Sequence, residues 1–109
     1  MLDNHGEVLE AIELLLEVEV TFFSKEDNNM LLSRRCAPMD YGPSRRMKVP
    51  EDRYHLWDFE SDSGRNHTLS LPTKQIKSVR ILDSRFDPSD FVTWEPNWFI
   101  SRSSWGRFN

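Results

Sequence analysis

Apolar residues Val8, Ala11, Ile12, Leu15 and Leu16 recur three and four positions apart, and Glu7, Glu10, Glu13 and Glu17 fall mostly between them. That spacing gathers the apolar side chains on one stripe and predicts an amphipathic helix over about residues 6–15. Asn4 and Glu7 stand where a capping box would place them. Near residue 17 the period shortens to two. Val18, Val20 and Phe22 alternate with Glu17, Glu19 and Thr21, which predicts a strand with one wet face over about 17–24. The polar run at residues 25–29 is a turn, and about 30–36 returns as the second arm of a hairpin. Residues 37–50 hold three prolines and Gly42 and read as a long irregular loop. A third strand, rich in aromatic residues, is expected over about 53–60. Residues 62–66 give a second hairpin turn, about 67–71 a fourth strand, Pro72 to Gln75 one helical turn, and about 76–83 a fifth strand.

One helix followed by five short, tightly connected strands predicts a mainly β domain. Such strands tend to curl into a small antiparallel barrel, which the helix would plug on one open side. Ile12, Leu15, Val18, Val20, Phe22, Leu56, Leu69, Leu71, Ile76, Val79 and Ile81 are the expected core. From residue 84 the periodicity dissolves, yet Phe86, Phe91, Trp94, Trp98, Phe99, Trp105 and Phe108 follow. So much aromatic surface has to pack, which makes 84–109 a packing tail of the same 1–83 domain. It can cover the barrel's open edge, line a ligand cleft or dock on a second subunit.

Charge changes this picture in one respect. The 109 residues carry a net charge of −4, which removes any global attraction to nucleic acid or anionic lipid. The balance is uneven, at −7 over residues 1–29 and +3 over residues 30–53. A single cysteine, Cys36, excludes an internal disulfide and a cysteine-clustered zinc site. The longest apolar run, Leu14 to Leu16, is far below a membrane span, and the acidic opening is unlike a leader peptide. The expectation is a cytoplasmic protein with no membrane partner.

Several segments together resemble the WYL domain, a bacterial module built on an Sm-like (SH3-like) small barrel. Ala11-Ile12 leading into residues 18–23 resembles that family's opening helix and first strand. Residues 34–39, Arg-Arg-Cys-Ala-Pro-Met, resemble its basic strand ending in a proline and an apolar residue. Residues 53–59 stand where its Trp-Tyr-Leu strand lies, with Tyr54, Leu56 and Trp57 in a rearranged order. Residues 68–76 resemble its final strand and turn, with Ser70 and Gln75 where the family usually has ligand-contacting arginines. The resemblance covers roughly two-thirds of the chain and implies a regulatory or ligand-binding module rather than an enzyme.

The candidate chemistry sits in the basic middle. Arg34 and Arg35 on a strand, Arg45, Arg46 and Lys48 on the following loop, and Arg53, His55 and Trp57 beyond it combine anion-binding forks with stacking faces. Arg34, Arg35, Arg53, His55 and Trp57 are the candidate site for single-stranded nucleic acid or a small anionic ligand. The competing reading pairs Arg34 and Arg35 with the acidic helix or with another copy in a homo-oligomer, a structural assembly protein without a ligand. The remaining features point elsewhere. His55 and His67, with Asp58 and Asp62 nearby, match no metal motif. His5 is isolated, and Cys36 has no base tied to it and reads as a buried packing residue. The glutamates of the helix read as a solvated face, and Gly42 and Gly64 belong to no phosphate loop. No cofactor is expected.

Overall fold

A computed structural model describes residues 1–61 and 67–109. The turn expected at residues 62–66, with Asp62 and Gly64, lies outside the described residues. The chain runs α1 (His5–Leu14), β1 (Leu16–Ser24), β2 (Met30–Pro43), β3 (Asp52–Asp58), β4 (Thr68–Pro72) and β5 (Ile76–Arg85). A one-turn 3-10 helix, Thr73–Gln75, links the last two strands, and two more such turns lie in the tail. The fold is mainly β, an N-terminal helix on a five-stranded antiparallel sheet with an aromatic cluster formed by the C-terminal tail. Among the described residues no helix is long and apolar enough to cross a membrane.

The strand order is β4-β3-β2-β1-β5. Every neighbour in that order is antiparallel. The expected closed barrel is therefore not formed. Among the described residues no ladder joins β4 to β5, and both remain edges. The two apolar faces are covered instead by the helix and the tail, which removes the need for closure.

One cluster joins Val8 and Ala11 of α1 to Val18, Val20, Phe22, Cys36, Tyr54, Leu56, Leu71, Ile76 and Val79. A second joins Ile12, Ala37 and Met39 to Phe86, Phe91, Val92 and Trp105, with Trp57, Phe59 and Trp98 packed against it. Most of the expected core is buried. Leu15, Leu69 and Ile81 are only half-buried. Each packs at the margin of a cluster rather than inside it. Cys36 is fully buried, and burial, reinforced by Asp58, pushes its thiol far above the ordinary value. It is the packing residue its surroundings suggested.

Two local expectations are corrected. Asn4 does not cap α1. Its amide donates to the Val79 carbonyl at 2.7 Å, tying the helix start to β5 instead. The loop expected at residues 37–50 is, as far as Pro43, a continuation of β2. Pro38 pairs with Leu56 and Asp40 with His55, leaving Met39 as an extra residue in a bulge. A bulge bends the strand and resets its alternation; Cys36 through Asp40 are buried in succession because both faces are covered here, with Cys36 in one cluster and Ala37 and Met39 in the other. Gly42 follows the bulge for a steric reason. A Cβ there would lie 2.5 Å from Cδ2 of Phe99. Gly42→Ala is expected to displace the Phe99 ring and to cost about 1–3 kcal/mol. An unchanged urea midpoint would show that the ring moves aside freely.

The tail is fastened to the end of α1 through residues 103–105. Trp105 Nε1 donates to the Ile12 carbonyl at 2.8 Å, and Ser104 Oγ donates to the Glu13 carbonyl. Both carbonyls belong to the last turn of α1, where the regular helical donors run out; the Ile12 carbonyl also accepts from the Leu15 N–H at 3.4 Å. The Glu13 carboxylate accepts from Ser103 N, Ser103 Oγ and Ser104 N at 2.8–3.1 Å. Hydrogen bonding from Ser104 first, and then from Ser103, pulls its carboxyl down to about 2 from 4.5. The stabilisation is thus present above pH 4.5 and lost as pH falls through about 2. Acid titration of tryptophan emission is expected to show a transition in that window that Glu13→Gln abolishes. A transition that persists in the variant would assign it to another carboxylate.

Candidate functional site

The basic middle folds into two separate places. Arg34 and Arg35 are consecutive on β2, so their side chains leave on opposite faces. Arg35 Nη1 meets the Glu17 carboxylate at 2.7 Å, and its guanidinium lies 4.8 Å from the centre of the Phe59 ring. Arg34 Nε is 3.7 Å from the buried Asp58 carboxylate. Both arginines pair within the chain, with acids on β1 and β3 rather than on α1. Arg53 donates to the Ser70 carbonyl at 3.0 Å and approaches Glu51 at 3.5 Å. Trp57 is enclosed in a ring stack, parallel to His67 and to Phe91, each 5.1 Å away. None of these four borders the cleft beside the tail.

His55 does. It borders an open cleft of about 750 Å³ between the end of β2, the loop after it, β3, β4 and the tail. Three groups of side chains give the cleft its chemistry. Trp94, Trp98 and Phe99 form an aromatic wall, and Trp94 and Phe99 are each 41% exposed. Arg45 and Arg46 bring positive charge from the loop, while Ser70, Thr68 and Ser44 supply hydroxyls. The size falls within the ordinary range for small-molecule sites, and the mixture of apolar wall and few polar groups is what such sites show.

The polar groups differ in how far they are committed. The Arg45 guanidinium lies 4.0 Å from the centre of the Phe99 ring and donates to the Asn97 carbonyl at 2.9 Å. Arg46 forms no ion pair among the described residues and is exposed. His55 bridges two neighbours, with Nδ1 2.8 Å from Ser70 Oγ and Nε2 2.9 Å from the Gly42 carbonyl. Ser70 lies opposite His55 in the β3–β4 register, which fixes the pair. Glu95 adds one acid at the rim.

Asp40, also at the cleft, faces the tail. Its carboxylate accepts the Phe99 N–H at 3.0 Å and the Ile100 N–H at 2.9 Å. Arg102, whose side chain is 0% exposed, stands 3.7 Å away. The Arg102 guanidinium packs against both Trp98 and Trp105, 4.2 and 4.4 Å from their centres. Burial lowers its pKa to about 10, with Asp40 and Glu13 opposing the shift. Asp40 and Arg102 therefore hold the aromatic wall in place.

Comparison with protein-family models, with curated proteins and with solved structures finds no match. The site has to be judged on its own geometry. Among the described residues no group of three His, Cys, Asp or Glu side chains is placed to hold a metal ion. His67 Nδ1 is engaged with the Asp58 carbonyl at 2.8 Å, and His5 Nδ1 with the Tyr54 hydroxyl at 2.7 Å.

Of the five residues expected at the site, the cleft gathers only His55. Arg45 and Arg46 were legible as part of the basic segment, and Trp94 and Trp98 as aromatics able to line a cleft. Ser70 was marked only as a place where the WYL pattern carries an arginine, Phe99 only as one of the tail's aromatics, and Asn97 carried no signal, because their importance comes from pairing across strands and from the path of an aperiodic tail.

Proposed function

We propose that this chain is a non-catalytic binding module that takes a small anionic ligand in the cleft between β2, β4 and the tail. The carrying observation is a cleft lined both by Arg46, whose guanidinium has no ion-pair partner among the described residues, and by two half-exposed rings, Trp94 and Phe99. A free guanidinium fork suits a carboxylate or phosphate. Exposed rings suit a flat apolar body, whose burial would recover hydrophobic free energy. The order of one helix, five antiparallel strands and a 3-10 turn before the last strand is consistent with the WYL-like, Sm-like reading, with the edges β4 and β5 left open. A regulatory role in the cytoplasm goes with that reading.

Titration with benzoate, followed by intrinsic tryptophan emission, tests the proposal. Benzoate is expected to perturb the emission, and Arg46→Gln to weaken that response about tenfold, as loss of a charged hydrogen bond would. Benzyl alcohol, with the ring but no charge, is expected to bind more weakly than benzoate. Absence of any response to benzoate and to phenyl phosphate would reject the site. A response only to an oligothymidylate, falling steeply with salt, would transfer the cleft to single-stranded nucleic acid.

A further inference from the structure

We infer that the ligand taken by the cleft is an aromatic acid that also carries a hydrogen-bond donor, a hydroxyl or amino group, directed at Ser70 Oγ. The inference rests on the cleft being the anion site proposed above, and it follows from a chain of donor and acceptor assignments. The Gly42 carbonyl can only accept, so the hydrogen in its 2.9 Å contact with His55 Nε2 belongs to the ring. A neutral imidazole with its hydrogen on Nε2 has Nδ1 as an acceptor. With the imidazole neutral, Ser70 Oγ, 2.8 Å from Nδ1, is the donor of that bond. A hydroxyl has one hydrogen and two lone pairs. With its hydrogen spent on His55, Ser70 presents only lone pairs to the cleft it lines.

The cleft thus has a polarity pattern. Arg46 offers hydrogen to an anion, while Ser70 asks for hydrogen from the ligand. Trp94 and Phe99 lie on the aromatic wall, where the flat body joining those two groups would rest. His55 acts as a positioning residue. Both its nitrogens are occupied within the protein, so it sets the direction of the Ser70 hydroxyl without needing to touch the ligand.

The pattern separates close analogues. A phenol or an aniline donates to Ser70 Oγ, whereas its methyl ether or N,N-dimethyl derivative has no hydrogen to give. The test compares 3- and 4-hydroxybenzoate with 3- and 4-methoxybenzoate, and 4-aminobenzoate with 4-dimethylaminobenzoate, by tryptophan emission and by calorimetry. At least one donor-bearing acid is expected to bind about tenfold tighter than its methylated partner, the scale of one well-made hydrogen bond. Ser70→Ala is expected to erase that preference, read as the ratio of affinities within each pair measured on the same variant.

Equal affinities for every pair in the wild-type protein, which needs no variant to fold, would overturn the inference. If benzoate still bound and Arg46→Gln still weakened it, the anion site would stand without the donor requirement. A preference that survived Ser70→Ala would also overturn it, since the donor would then be read elsewhere. Failure of all the acids to bind would reject the anion site itself, a distinguishable result.

Discussion

Replacing Asp40 with alanine is expected to lower the unfolding free energy by about 3–5 kcal/mol, the usual cost of removing one member of a buried pair. Two consequences add up. The buried Arg102 guanidinium loses its nearest counter-charge, and the Phe99 and Ile100 N–H groups lose their shared acceptor. Arg102 is poorly placed to compensate. It is fully covered, its Nη1 already lacks a hydrogen-bond partner, and its other donors turn to the Ile100 carbonyl. Asp40→Asn is expected to be milder, because an amide oxygen can still accept from the tail while the charge is lost. Urea unfolding measures both. An Asp40→Ala protein within 1 kcal/mol of wild type would mean that Arg102 and the tail find water when the carboxylate is gone, contrary to their burial.

Deletion of residues 94–109 is the second large effect expected. Trp105 is 3% exposed and packs against Phe86 at 5.5 Å and Trp98 at 5.4 Å. Its loss alone is worth about 3–5 kcal/mol on the scale of large-to-small core changes. Deletion also uncovers Ile12, Phe91 and Trp57, so the truncated protein is expected to bind a hydrophobic dye that the full chain ignores. Its state of association is expected to stay that of the full chain, since the buried surface of the tail is spent on its own sheet and helix. A truncated protein as stable as the full chain would show that the tail is a loose cover. A drop in oligomeric mass would show instead that Trp94 and Phe99, the half-exposed rings, reach a second copy.

The sheet and helix were legible because their signal is periodic. Val18, Val20 and Phe22 on β1 and Tyr54 and Leu56 on β3 are buried at alternate positions. The extension of β2 was hidden for the opposite reason. The bulge at Met39 breaks the alternation just where Pro38 and Pro43 suggest a loop. Barrel closure was the natural outcome for five strands taken alone. It did not follow because the tail, whose path no period describes, supplies a cover for the second face. Arg34 and Arg35 show the limit of reading sites from residue type. They looked like anion binders, and they pair with Asp58 and Glu17, whose nearness depends on strand register. Ser70 looked like a lost arginine and becomes informative only once His55 is seen opposite it.

The clasp between tail and helix also bears on the order in which the molecule assembles. Ser103, Ser104 and Trp105 reach back about ninety positions to Ile12 and Glu13. Loop closure over such a separation is slow to be rewarded, because its entropy is lost before any contact returns it. On the ribosome, α1 emerges long before its clasp, at about 5–20 residues per second. For those seconds the helix end is without the donors of the tail and the Trp57 side of the sheet has no cover. The half-made protein is therefore a sticky object with a defined exposed face, and docking of the tail is the step that ends its vulnerability.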